Sequence, residues 1–155
     1  LTREGIKRIK EIALILNKEK IDLIFASDLL RTKQTAEIVA GKLGLNTIFD
    51  KKLREIEFGK FNGGPGEEWE EFFETIRNRK SGKPHGMENY KDARKRAEVF
   101  IKRINKKYKN RRILIVSHGA LVFSLAAIMG DLSEKQQETH KEELKFETGE
   151  LKIIK

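Results

Sequence analysis

Residues 113–119 read Ile113-Leu114-Ile115-Val116-Ser117-His118-Gly119, an apolar run that breaks off at a histidine and a glycine. The run is too short for a helix and has no polar alternation, so it predicts a strand buried on both faces, which is the habit of parallel sheets. Residues 21–27, IDLIFAS, repeat the pattern and lead into Asp28. Two such strands with helical stretches between them predict a layered α/β sheet, because parallel neighbours need crossovers of about this length.

The intervening segments carry helical spacing. Thr2 is a candidate N-cap, with Glu4 in the first turn and Ile6, Ile9, Ile12, Ala13 and Leu16 on one face, which predicts a helix ending near Lys18. Ala36, Val39, Ala40 and Leu43 predict a second helix over residues 30–43, closed by Gly44, and Thr47 to Phe49 a short strand. Tyr90, Ala93, Ala97, Phe100, Ile101 and Ile104 line a long helix, and residues 120–129 form another. The only Gly/Pro cluster, GKFNGGPG at 59–66, marks a loop, followed by a helix bearing Trp69, Phe72, Phe73 and Ile76 and a second loop over 79–86. Residues 144–154 suggest a terminal hairpin. No repeat or linker divides the chain, so residues 1–155 are expected to form one domain.

Composition narrows the function classes. Lys and Arg number 33 against 24 Asp and Glu, giving a formal charge of +9, a field that favours anionic ligands without choosing among them. Many lysines alternate with glutamates on the predicted helices, the pattern of a solvated face, so nucleic acid is the disfavoured partner. No apolar run is long enough to cross a bilayer, and the first ten residues are amphipathic rather than signal-like. Cysteine is absent, which removes disulfides and thiolate metal sites and is consistent with a cytoplasmic protein. His85 and His140 have no metal-ligand spacing, so no metal is expected, and no GxxxxGK[ST] or GxGxxG motif supports a nucleotide loop.

Three residues stand where chemistry is expected. His118 lies between a buried strand and a helix start, the edge at which open α/β sheets bind ligands, and the amides of Gly119 and Ala120 open that helix toward an anion. A satisfied histidine in a turn fits the same pattern. Arg31 follows Ala26, Ser27 and Asp28 at the corresponding edge, where a guanidinium can grip two phosphate oxygens or simply face solvent. Glu55 precedes Phe58 and Gly59 at a strand-to-loop junction, where partial burial would suit a proton donor; pairing with Arg54 or a lysine is the alternative, and Glu57 competes for the role.

The order of these segments resembles the histidine phosphatase superfamily, which includes phosphoglycerate mutases and small phosphatases. LTREGIKRIK is similar to the family's LTxxGxxQA, ASDLLRTKQTAEIVA to SSDLxRAxQTAxxIA, LREIEFGKFNG to LREIxFGxWEG, HGMENYKDARKRAEVF to GGESxxDVxxRV, and ILIVSHGALV to VLVVSHGGxI. The resemblance implies a phosphoglycerate-mutase-like, three-layer α/β/α fold with a mostly parallel sheet and phosphoryl transfer through a phosphohistidine, without cofactor or metal. It implies that Arg31 binds phosphate, Glu55 protonates the leaving group and His118 stabilises the transferring phosphoryl group, with Ser27, Gly119 and Ala120 shaping the pocket.

In the family an Arg-His-Gly motif at the end of the first strand supplies the phosphorylated histidine, upstream of the segment matching Leu1. No such tripeptide occurs in residues 1–155. The expectation is that the first strand is missing from this stretch, that the stretch alone is inactive, and that the intact protein is an enzyme. A hydrolase acting on small phosphomonoesters is the first reading, because residues 61–86 are short where family mutases elaborate. A phosphoglycerate mutase is the second, and an inactive module binding anions or nucleic acid the third. Oligomeric state is open.

Overall fold

The computed structural model describes residues 1–57, 59, 87–133, 135, 136, 150 and 151. In chain order these form α1 (Arg3–Leu16), β1 (Leu23–Ala26), α2 (Leu30–Leu43), β2 (Thr47–Phe49), a 3-10 turn (Lys51–Leu53), α3 (Tyr90–Lys107), β3 (Ile113–Val116) and α4 (Gly119–Met129). The expected GKFNGGPG loop beyond Gly59, the helix with Trp69, the loop over 79–86, His85, His140 and nearly all of the terminal hairpin lie outside the described residues.

The strands form a parallel sheet in the order β2-β1-β3. Ile24, Phe25 and Ala26 pair with Thr47, Ile48 and Phe49 on one side, and Leu23 to Ala26 pair with Ile113 to Val116 on the other. Alternation hidden inside the apolar runs now becomes visible, because successive side chains point to opposite faces. Ile24 and Ala26, with Leu114 and Val116, join Ile9, Ala13 and Leu16 of α1 and Ala36, Val39 and Ala40 of α2. Phe25, with Leu23, Ile113 and Ile115, joins Ala93, Ala97, Phe100, Ile101 and Ile104 of α3 and Leu121 and Leu125 of α4. The expected three-layer α/β/α arrangement follows, with a helix pair on each face. Phe100 anchors the second face: it is fully buried and meets the Phe25 ring edge-on at 5.5 Å, while Tyr108 meets Phe25 at 5.6 Å.

Local chemistry explains the boundaries. The Thr2 hydroxyl accepts from the Gly5 amide at 3.1 Å and starts α1. That helix stops at Leu16 rather than near Lys18, because the amides of Lys18 and Glu19 reach back only to Ile15 and Leu16 and tighten the end into turns. Gly44 ends α2 with φ of 66°, a left-handed cap that favours glycine. After β1 the chain bends through Asp28 and Leu29 before α2 begins at Leu30, so Asp28 belongs to the loop. Leu151 packs against the α1 and α2 face.

Candidate active site

The carboxyl ends of β1 and β3 are neighbours in the sheet, and each runs within a few residues into a helix N-terminus. The segment after β1 is folded by short-range bonds: the Leu29 amide donates to Ser27 Oγ at 3.3 Å, and the Thr32 hydroxyl points at the carbonyls of Ser27 and Leu29 at 3.1 and 2.8 Å. Beside it, His118 is the N-cap residue of α4 without capping it through its side chain. Its Nε2 lies 2.9 Å from Ser27 Oγ, so the hydroxyl that shapes one helix start also holds the imidazole at the other.

Ser27 is fully buried and His118 only 5% exposed. Burial first, and then the positive charges of Arg31 and Arg96, push the imidazole down to about 4, so it is uncharged at neutral pH. The effect of Arg31 on His118 brings these two predicted site residues into one electrostatic neighbourhood. Arg31 itself is exposed in the first turn of α2. The opening amides of α4, from Gly119 and Ala120, have no acceptor within their helix, and a Cβ added at Gly119 would meet nothing within 4 Å. A neutral imidazole, a guanidinium and helix-end amides suit an oxyanion with charge spread over several atoms.

The segment that carries Glu55 is tied to this edge by its main chain. The Ser117 hydroxyl donates to the Leu53 carbonyl at 2.7 Å, which ties the segment before Glu55 to the residue before His118. Glu55 is half-buried, and its Oε1 accepts from the Ile56 amide at 3.0 Å. The alternative pairing with Arg54 is not formed: Arg54 makes two bonds of 2.6 Å to the carboxylate of Asp28, which holds that carboxyl below its usual range. Glu57 is exposed and turns one carboxylate oxygen onto the Gly59 amide at 3.2 Å. Among the described residues, no group of three or more His, Asp or Glu side chains could hold a metal ion.

Arg96 and Glu88 were not singled out by sequence reasoning, yet they brace this loop through an ion pair with bonds of 2.7 and 2.8 Å. The signal was present. Arg96 stands three residues after Ala93 and four before Phe100, on the apolar stripe of α3, where a solvated arginine has no place.

The chain is 32% identical over 133 residues to phosphoglycerate mutase-like protein 4 of Arabidopsis thaliana, covering 81% of this chain and 58% of that protein. It is 30% identical over 141 residues to phosphoserine phosphatase 1 of Hydrogenobacter thermophilus, covering 86% and 67% respectively. The chain thus spans about three-fifths to two-thirds of the length of these relatives. A mycobacterial glucosyl-3-phosphoglycerate phosphatase shares the fold with a TM-score of 0.76 at 24% identity, over 90% of this chain and 73% of that one. No helix among the described residues is long and apolar enough to cross a membrane. Residues 1–153 match the histidine phosphatase superfamily (branch 1), and it is to this family, with its phosphatases and phosphoglycerate mutase-like members, that the chain belongs.

Proposed function

We propose that the whole protein hydrolyses small phosphomonoesters through a phosphohistidine, with His118, Arg31 and Glu55 in named roles. The observation that carries the reading is the buried Ser27–His118 contact of 2.9 Å, which presents an uncharged imidazole within electrostatic reach of Arg31 at the ligand edge of the sheet. Arg31 grips two non-bridging phosphate oxygens, while His118 and the amides of Gly119 and Ala120 stabilise the charge that spreads over the phosphoryl group in flight. Ser27, being buried, acts on the phosphate through the imidazole.

The ester P–O bond breaks as a P–N bond forms to the histidine that the family resemblance implies, one that has no Arg-His-Gly counterpart in residues 1–155. Glu55, protonated, gives its proton to the leaving oxygen and releases an alcohol. A water then attacks phosphorus and loses a proton to the Glu55 carboxylate, and the P–N bond breaks to release orthophosphate and the free histidine. Residues 1–155 by themselves are expected to turn nothing over. Hydrolysis is preferred to mutase chemistry because residues 61–86 offer little chain to recognise a second small acid.

The test is kcat/KM of the full-length protein for 4-nitrophenyl phosphate. His118→Ala and Arg31→Ala should each lower it by about 100-fold or more, the loss typical of removing one positioned donor at a developing charge. Unchanged turnover in either variant overturns the assignment.

A further inference from the structure

We propose that Arg96 is a positioning residue that holds Glu55 on the leaving-group side of the site by clamping the main chain of the loop that carries it. This rests on the reading of Glu55 as proton donor, and adds how that carboxyl is placed.

Residues 52–57 lie outside the strands, so no ladder satisfies their main-chain carbonyls, and such groups need other partners. Side chains and one amide from elsewhere supply them. Arg96 Nη1 donates to the Lys52 carbonyl at 2.7 Å and Nη2 to the Glu55 carbonyl at 3.1 Å. Ser117 Oγ donates to Leu53 O, and the Glu88 amide donates to the Glu57 carbonyl at 2.8 Å. The bond to Glu55 falls on the residue whose carboxyl is assigned to proton transfer, and the bond to Lys52 fixes the turn before it.

The same guanidinium is anchored behind. Nε and Nη2 meet the two carboxylate oxygens of Glu88, and both side chains are only 18% exposed. A guanidinium has five N–H donors, and four are committed here, so Arg96 has no open fork for a phosphate. Its commitment distinguishes it from Arg31, which is exposed in the first turn of α2. The Asp28–Arg54 pair next to Glu55 in sequence is a weaker brace, since solvent competes for both partners.

A positioned acid matters in proportion to how much the leaving group needs a proton. The full-length protein should therefore be assayed by kcat/KM on 4-nitrophenyl phosphate, whose leaving group departs as a stable anion, and on glycerol 3-phosphate, whose alkoxide does not. Arg96→Lys keeps the charge but cannot bridge Glu88, Lys52 and Glu55 together. It should lower the alkyl value by about 10-fold to 100-fold while lowering the aryl value less than about threefold, and Glu55→Gln should show the same split at larger amplitude.

Equal losses on both substrates, or an unchanged alkyl value, in Arg96→Lys beside a clear split in Glu55→Gln would overturn the clamp and leave the proton donor standing. No split in Glu55→Gln overturns the proton donor, and the clamp with it. Should Arg96→Lys not fold, Glu88→Gln loosens the same guanidinium from behind, and its alkyl-to-aryl ratio decides by the same criteria.

Discussion

Ser27 Oγ and His118 Nε2 stand 2.9 Å apart, joining the carboxyl ends of two parallel strands by their side chains. The Ser27 hydroxyl accepts from the Leu29 amide and keeps both its hydrogen and a second lone pair, so it can partner Nε2 in either neutral tautomer of the imidazole. Ser27→Ala removes that partner from a buried ring nitrogen and should cost about 1–3 kcal/mol in urea unfolding, with a fall in turnover. A neutral imidazole at pH 7 in the ring nitrogen spectrum of the unliganded protein checks the same burial.

The depressed basicity of His118 makes stability depend on pH with a fixed sign. Its value falls from 6.5 to about 4 on folding, so between those values the unfolded chain binds the extra proton. Stability is therefore unaffected above pH 6.5, falls as the pH drops below it, and levels off for this group near 4, a loss of at most about 3 kcal/mol. Unfolding of the protein and of His118→Gln at pH 7 and pH 4.5 should differ in slope by this contribution. The paired carboxyl of Asp28, also depressed, acts below 3.8 and leaves the window clear.

Phe100 tests the packing that sets the sheet's second face. It is fully buried beneath Phe25, so Phe100→Ala should cost about 3–5 kcal/mol through lost burial and the cavity left behind. Chemical denaturation at neutral pH measures it directly.

Arg54 offers the contrast. Its bond pair to Asp28 is short, but the arginine side chain is 45% exposed, so Arg54→Met should leave stability nearly unchanged, and the more so at high salt. A larger loss in thermal or urea unfolding would mean that this pair carries the loop that Arg96 is argued to carry.

Much of this was legible in the sequence, and particular residues show why. The bounds of α2 and β2 could be read to the residue, since the Ala36, Val39 and Ala40 stripe and the Gly44 cap mark them chemically. The carboxyl edge of the sheet followed from apolar runs ending at Ser27 and at His118. What linear reading could not supply was the contact between those ends, 91 positions apart, which only strand pairing creates. Arg96 was hidden differently: its neighbours Arg94 and Lys95 make the stretch look like a solvated face, and although the E and R of GGESxxDVxxRV fall on Glu88 and Arg96, the motif does not say what they hold. The rivalry of Glu55 and Glu57 was likewise beyond spacing, because their difference lies in burial and in which carbonyl Arg96 takes.

The central claim, that the imidazole and the Arg31 guanidinium serve one phosphate, is tested most directly by following the His118 ring proton resonances of the full-length protein during titration with orthophosphate. Saturable shifts that vanish in Arg31→Ala are the predicted result. Ring resonances that stay fixed while phosphate binds, or that move equally without Arg31, would contradict it.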